Sequence, residues 1–323
     1  MDGVLGLDTS CYTTSAAAVD AQGKVIAFSR LLLPVEAGQR GLRQSEAVFA
    51  HVRQLPQVME SLMTELPTEA TIRTVCASSK PRDEADSYMP VFQTGCGYGR
   101  GIAAALRVPF FETTHQQGHI AAGCIGLPPL DERFLALHLS GGTTELLLCE
   151  NGRLRLVGGS LDLHAGQMVD RVGVRLGLRF PAGPELEKLA MACADPTEAL
   201  LPASLEKDAC YCHLSGAETR AAQLWEKQVC TPERIAAETF DLLARTVSRM
   251  LTAGCQRYQV RQALVVGGVA SSKLLRGLLQ QRLNKLRSPV EVFFGAPRYS
   301  ADNAAGVAAL GLEQYRQWKE HHA

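Results

Sequence analysis

His115 and His119, four residues apart in "THQQGHIAAG" at 114–123, are the first side chains whose types and spacing suggest chemistry. On a helix capped by Thr113 or Thr114 this spacing puts both imidazoles on one face. Two neutral rings so arranged can chelate a transition metal. Gly118 argues against the helix, and a pair of this kind serves equally as surface or capping histidines. A third ligand must come from elsewhere. Asp302 in "SADNAAGVA" is the candidate, because its carboxylate would complete a His-His-Asp set with positions left open for substrate or water. Iron and zinc both suit such a set. Ser300 or Asp302 would also cap the helix that follows, which gives the carboxylate a purely structural task.

A second group of residues has the character of a nucleotide site. "LVVGGVASSKLLRGLL" at 264–279 predicts a strand, a Gly-Gly turn and a helix with Ser271 or Ser272 near its start. Free N–H groups at a helix start favour phosphate, although a Gly-Gly pair is also an ordinary tight turn. In "GQMVDRVGVRLGLRFPAGPELEKLA" at 166–190, Asp170 falls on a helix and Gly183 follows a proline in a sharp turn. An Asp carboxylate can accept from two ribose hydroxyls, or it can simply face solvent.

The elements that must hold these residues come in two copies. "LGLDTSCYTTSAAAVDAQGK" at 5–24 and "LALHLSGGTTELLLCENGRL" at 135–154 share an apolar entry, a polar turn, a Thr-Thr pair and an apolar exit. Leu5, Leu7, Ser10, Thr13 and Thr14 match Leu135, Leu137, Ser140, Thr143 and Thr144 at one constant offset. Third strands follow, "VIAFSRLLL" and "LRLVGGSLDL", so each copy opens as an antiparallel meander. Helices and strands then alternate, which implies parallel pairing. The first half predicts a helix over 43–65, strand "IRTVCASS", a helix near 91–107 and strand "VPFFETT". The second predicts helices after Ala165 and after Pro232, strand 263–268, a helix over 271–287, strand "VEVFFG" and a final helix from Asp302.

The order β-β-β-α-β-α-β-α, twice, predicts an α/β fold of two lobes, the duplicated actin, hexokinase and heat-shock chaperone architecture with nucleotide in the inter-lobe cleft. The expected lobes are 1–128, with 302–323 packing back on it, and 129–301 with a helical insertion over about 164–235. In such turns the backbone N–H groups and the hydroxyls of Ser140, Thr143 and Thr144 could surround phosphate oxygens.

Composition narrows the class further. Lys+Arg and Asp+Glu are both 33, so no global charge announces nucleic acid or membrane. The charge is uneven: Lys273 to Arg298 holds six bases against Glu291, while acids lead over 185–208. Solvated helix faces account for such runs as well as binding patches do. Ten cysteines are scattered without a zinc-knuckle or redox spacing, and "CYCH" at 210–213 is too compressed for a tetrahedral site. With no signal peptide or long apolar run, reduced thiols and a cytoplasmic location are expected.

Taken in order, "GLDTSCYTT", "HQQGH", "LSGGTT", "DRVGVRLGLRFPAGP", "GGVASSKLLR" and "ADNAAGVAALG" resemble the TsaD/YgjD family nearly end to end. That family comprises threonylcarbamoyladenosine synthases, described earlier as O-sialoglycoprotein endopeptidases. The resemblance implies an N-acyltransferase that moves threonylcarbamoyl from threonylcarbamoyl-AMP to the adenine amine of the tRNA adenosine beside the anticodon. It implies one divalent metal, Fe(II) or Zn(II), on His115, His119 and Asp302. It implies contact of His138, Leu139, Ser140, Gly141 and Gly142 with the acyl-adenylate, and of Asp170, Gly183, Gly268 and Ser272 with the nucleotide. Ser272 stands where the family usually has asparagine. Implied partners are tRNA, bound through a complex, and small proteins of the pathway including a TsaB-like relative of the same fold; no membrane is implied.

The chain departs from the family pattern at several points. "ETSCDDT" or "ETSCDET" becomes "DTSCYTT", so Tyr12 and Thr13 replace two acids. The glutamate between the histidines is Gln117, the histidine of "SGGHT" is Thr143, and 80–101 replaces the usual "PGLxGAL" segment. A divergent paralogue is therefore expected. Its alternative is a nucleotide- and metal-binding subunit that does not catalyse, or one that transfers carbamoyl to another acceptor. A kinase of the same fold is disfavoured, since Asp8 alone remains in the first loop to position magnesium. A metalloprotease would need glutamate directly after its first histidine.

Overall fold

Short apolar and small residues in near-continuous runs give the opening strands. β1 (Asp2–Ser10) is buried on both faces, as is β2 (Thr13–Asp20) with its Ala16, Ala17 and Ala18. The Asp20 carboxylate accepts from Gln22 N and Lys24 N, both at 2.9 Å, and so forms the turn into β3 (Val25–Leu32). Then follow α1 (Gln44–Glu65), β4 (Thr71–Lys80), α2 (Pro90–Leu106), β5 (Phe110–Thr114) and α3 (His115–Cys124). β4 pairs parallel with β1 and β5 parallel with β4, giving the sheet order β3-β2-β1-β4-β5.

The second half opens the same way, with β6 (Arg133–Leu139), β7 (Thr144–Glu150) and β8 (Arg153–Ser160). Next come α4 (Ala165–Arg175), α5 (Gly183–Met191), the small hairpin of β9 (Ser204–Leu205) and β10 (Tyr211–His213), α6 (Ser215–Glu226) and α7 (Pro232–Tyr258). The chain continues through β11 (Gln262–Val266), a 3-10 turn at Val269–Ser271, α8 (Lys273–Lys285), β12 (Glu291–Phe294) and α9 (Ala304–His322). Its sheet runs β12-β11-β6-β7-β8-β10-β9. Without the added hairpin, that is the order of the first sheet again. The register repeats too: Leu7 faces Ala16 in the first, and Leu137 faces Leu146 in the second. A slip of one residue would have reversed every side chain, so both copies bury the same faces.

This computed structural model describes residues 1–10, 12–34, 42–84, 86–194, 199–299 and 303–322. They form two units, Met1–Gly126 with Arg298–Ala323, and Leu127–Pro297. Within the second, α7 buries a long stripe that includes Ile235, Phe240, Val247 and Leu251 against the sheet side of the core. Among the described residues no helix is long and apolar enough to cross a membrane, and the described cysteines form no disulfide with one another.

Three elements differ from the sequence expectation. The helix expected over 271–287 divides into the 3-10 turn and α8, because the Ser272 side chain caps a new start by accepting from Leu275 N at 3.1 Å. The final helix begins at Ala304: Val307 N donates to the Asn303 carbonyl at 2.9 Å, which makes Asn303 the flanking residue. The insertion contains a hairpin as well as helices, attached by the pairing of β10 with β8.

α9 belongs to the first unit and crosses α3 closely. Gly306 sits against the Gly118 carbonyl, where an added Cβ would collide with backbone. Gly118 in turn faces the Asn303 side chain, which a Cβ there would displace. The glycine that weakened the case for a helix is what lets the two helices meet. Gly306→Ala is expected to lower stability by about 1–3 kcal/mol through overpacking. Gly97→Ala, on α2 with nothing within 4 Å, should raise it by up to about 1 kcal/mol. Urea unfolding midpoints of both variants check the pair.

Candidate functional site

The edge strand β5 runs directly into α3, and Thr114 at the junction is its cap. Thr114 Oγ1 accepts from Gln117 N at 3.1 Å, while Gln117 Oε1 accepts from Thr114 N at 3.0 Å. This reciprocal cap fixes the first turn and with it both histidines. His115 and His119 bring their Nε2 atoms to 3.0 Å, with ring planes at 73°. Two nitrogens at that separation can both reach one ion at the usual distance of about 2.1 Å, so the donor pair fits a zinc or iron ion. Asp302, the expected third ligand, lies outside the described residues. Among the described residues no group of three His, Cys, Asp or Glu forms a metal site.

Both rings border a cavity of about 250 Å³ that is also lined by Asp8, Ser10, Tyr12, Thr13 and Asn303. Asp8, at 1 % exposure on β1, is the buried charge of this site. It accepts from the Ser78 hydroxyl on β4, from Asn303 Nδ2 at 3.2 Å, and lies 3.1 Å from His115 Nδ1. Burial by itself would push the Asp8 carboxyl up. The His115 ring, through its charge when protonated and its hydrogen bond, together with Ser78 and Asn303, holds it below the ordinary carboxylate range. Phe92 packs on the His115 ring with centroids 5.6 Å apart. Sequence spacing pointed to the two histidines but not to Ser78 or Asn303, which converge only when β4 and α9 pack on β1.

Behind β2 lies a further histidine that spacing did not single out. His51 on α1 is fully buried, with Nδ1 2.8 Å from Thr14 Oγ1. The Thr14 hydroxyl donates to Gln54 Oε1 at 2.8 Å, so it accepts from an Nδ1 proton on His51. Among the described residues Nε2 has no partner in ordinary hydrogen-bond geometry. Burial lowers the His51 pKa; the Ser10 carbonyl and Asp8 pull it the other way without cancelling the shift.

The second unit has its own cavity, of about 350 Å³, and it gathers much of the expected nucleotide set. Gly141, Asp170, Gly183, Gly268 and Ser272 all line it, as do Val169, Glu187 and Phe240, which the sequence reading missed. Apolar walls with a carboxylate able to accept from hydroxyls suit a nucleoside. Asp170 Oδ1 accepts from Ala182 N at 2.8 Å, so one oxygen already holds the turn that leads into α5. Glu187 Oε1 accepts from Leu274 N at 2.8 Å and ties α5 to the start of α8.

The stretch 138–142 is only partly at this cavity. His138 and Leu139 are buried on β6, and of these five residues Gly141 alone is among those lining the cavity. Thr144, expected to offer its hydroxyl to phosphate, is buried and accepts from Ala165 N at 2.8 Å. Its task is to cap α4 from a neighbouring strand. The close seating of Gly166 on Ser140 and Gly141 explains why the turn must be small there.

Two sheets with one shared order and register, each followed by helices in parallel crossovers, define the duplicated actin, hexokinase and heat-shock chaperone class. Solved structures agree on the fold. Full-length HypF in its phosphate- and nucleotide-bound form superposes with a TM-score of 0.62 at 12% identity, over 98% of this chain and 55% of that one. A ROK family glucokinase from Streptomyces griseus, in complex with glucose and AMPPNP, gives 0.53 at 12% identity, over 98% and 99%. Within that class the sequence is more specific. The model of the TsaD family, tRNA N6-adenosine threonylcarbamoyltransferase, matches residues 35–309, and the chain belongs to this family. A tRNA N6-adenosine threonylcarbamoyltransferase of Geobacillus thermodenitrificans (strain NG80-2) is 30% identical over 327 residues, covering 98% of this chain and 92% of that protein. One from Legionella pneumophila (strain Lens) is 27% identical over 314 residues, covering 95% and 92%.

The buried His51 generates a pH dependence. Its folded pKa lies below the ordinary value of about 6.5. As pH falls below that value the unfolded chain takes up the proton first. Stability is therefore complete above about pH 6.5 and declines below it, by up to about 1.4 kcal/mol per pH unit, until the folded pKa is reached. His51→Asn, which keeps a donor near Thr14, is expected to flatten that slope. Urea midpoints at about pH 7.5 and 5.5 for both proteins measure it.

Proposed function

We propose that this protein transfers a threonylcarbamoyl group from threonylcarbamoyl-AMP to the exocyclic amine of the tRNA adenosine beside the anticodon, with one divalent metal, Fe(II) or Zn(II). In this reaction the adenine nitrogen bonds to the carbamoyl carbon and the bond from that carbon to the AMP phosphate oxygen breaks. AMP leaves, and the amine gives up a proton. The observation that carries the reading is the convergence of the His115 and His119 Nε2 atoms, 3.0 Å apart, in a chain whose family is named for this transfer.

The residues divide the work between them. His115 and His119 would hold the metal, with Asp302 as the third ligand, and the ion would polarise the carbonyl or anchor phosphate oxygens. In the second unit, Gly183, Gly268 and Ser272 would surround the nucleotide, and the free oxygen of Asp170 would accept from a ribose hydroxyl. Glu187 and Phe240 extend that cradle. Recognition of tRNA would be shared with protein partners, including a TsaB-like relative; a chain with 33 bases and 33 acids agrees with shared rather than autonomous binding. Described cysteines outside disulfides fit a cytoplasmic setting.

Tyr12 and Thr13 favour a second reading. Both line the histidine cavity, and Tyr12 is 49 % exposed there, at positions where the family pattern carries acids. A partner subunit without transfer activity, or transfer of carbamoyl to another acceptor, would tolerate that loss.

Complementation decides between the two. Expressed with its host's partners in cells lacking their own synthase, the wild type is expected to restore the tRNA modification. The His115→Ala, His119→Ala double variant should fail and should also lose bound metal by elemental analysis, while circular dichroism shows that it remains folded. A wild type that fails to complement yet binds adenylates moves the conclusion to the second reading. Asp170→Ala is expected to weaken adenylate binding by about 1–3 kcal/mol, measured by calorimetry; equal affinity in both proteins would remove Asp170 from the nucleotide site.

A further inference from the structure

The amide of Asn303 reports where the His115 proton resides. Its Nδ2 lies 2.9 Å from the His115 carbonyl oxygen, 3.2 Å from Asp8 Oδ1 and 2.9 Å from His115 Nδ1. An amide nitrogen has two hydrogens, so only two of these three contacts are its hydrogen bonds. The two oxygens can do nothing but accept, whereas Nδ1 can carry a proton of its own. That proton has an acceptor, because Asp8 Oδ1 is 3.1 Å away. Turning the amide over does not help: its oxygen would then face a buried carboxylate and a carbonyl, both acceptors. His115 is therefore protonated on Nδ1, and its bare Nε2 is the atom that stands 3.0 Å from Nε2 of His119.

We infer that Asp8 is a positioning residue, which holds His115 in the tautomer and orientation that offer Nε2 to a divalent metal. A neutral imidazole binds a metal only through its unprotonated nitrogen, and a carboxylate on the opposite N–H fixes the ring and raises its basicity. The surroundings of Asp8 suit this task. It is 1 % exposed, on a central strand, and Ser78 of the neighbouring strand and Asn303, just before α9, secure the same oxygen. The glycine contacts of α3 with α9 keep Asn303 close enough to act. Asp8 thus sets the affinity of the histidine pair without touching the ion.

This inference rests on the metal reading proposed above, and the experiment separates the two. Long-range ¹H–¹⁵N correlation of the metal-free protein is expected to show His115 protonated on Nδ1. Asp8→Asn keeps an acceptor but removes the charge: the tautomer should persist while the Zn(II) and Co(II) dissociation constants rise about 10-fold. Asp8→Ala removes the acceptor: His115 should become a mixture of tautomers, with a loss of about 100-fold. A wild type whose His115 is protonated on Nε2 alone overturns the inference, whether or not Asp8→Ala folds. Folded Asp8→Ala that binds both ions within about twofold of wild type overturns it and leaves the metal site standing. A wild type that binds neither ion overturns the metal site and the inference together.

Discussion

The close crossing of α9 over α3 is the constraint on which the histidine site depends. Two glycines make it possible, since Gly306 lies on the Gly118 carbonyl and Gly118 leaves room for the Asn303 side chain. On another side of α9, Ala304 and Ala308 lie close against Gly6 of β1. A helix of ordinary side chains would stand about 8–10 Å from its neighbour and carry Asn303 out of reach of His115. Close approach converts a backbone crossing into a polar one: amide, carboxylate, hydroxyl and imidazole meet in a nearly dry corner, where each hydrogen bond counts for more and each missing one costs more.

That corner accounts for how a buried carboxylate is tolerated. Asp8 is removed from water, but three donors, from β4, from the start of α3 and from the residue before α9, converge on its Oδ1. An isolated buried carboxylate would take up a proton, whereas this one stays ionised because each donor is held by its own element. The same donors tie the end of β1 to α3, so the charge organises the site as well as surviving in it.

Duplication explains the division of labour between the units. Both sheets keep one strand order and one hairpin register, yet the loops that follow have diverged. In the first unit the space beside the hairpin turn holds imidazoles and Asp8. In the second it holds Gly141, Asp170 and the start of α8 around an apolar cavity. Several of the departures from the family pattern fall on these loops and caps. Gln117, where glutamate is usual, closes the reciprocal cap of α3 as glutamate would, so that change leaves the helix intact. Tyr12 and Thr13 have no such replacement function.

By itself the sequence determined whatever local pattern controls. Repeated apolar-polar-apolar stretches encode two meanders, alternating helices and strands encode parallel crossovers, and a spacing of four on a capped turn puts His115 and His119 on one face. Tertiary structure decided the rest. Asn303 meets Asp8 across 295 residues of chain, Ser78 meets it across 70, and His115 across 107. No periodicity records such contacts, because they follow from how closely whole elements pack. Thr144 makes the same point, for a hydroxyl that looked ready for phosphate caps a helix instead. A residue's type limits the bonds it can make, and only the packed fold chooses among them.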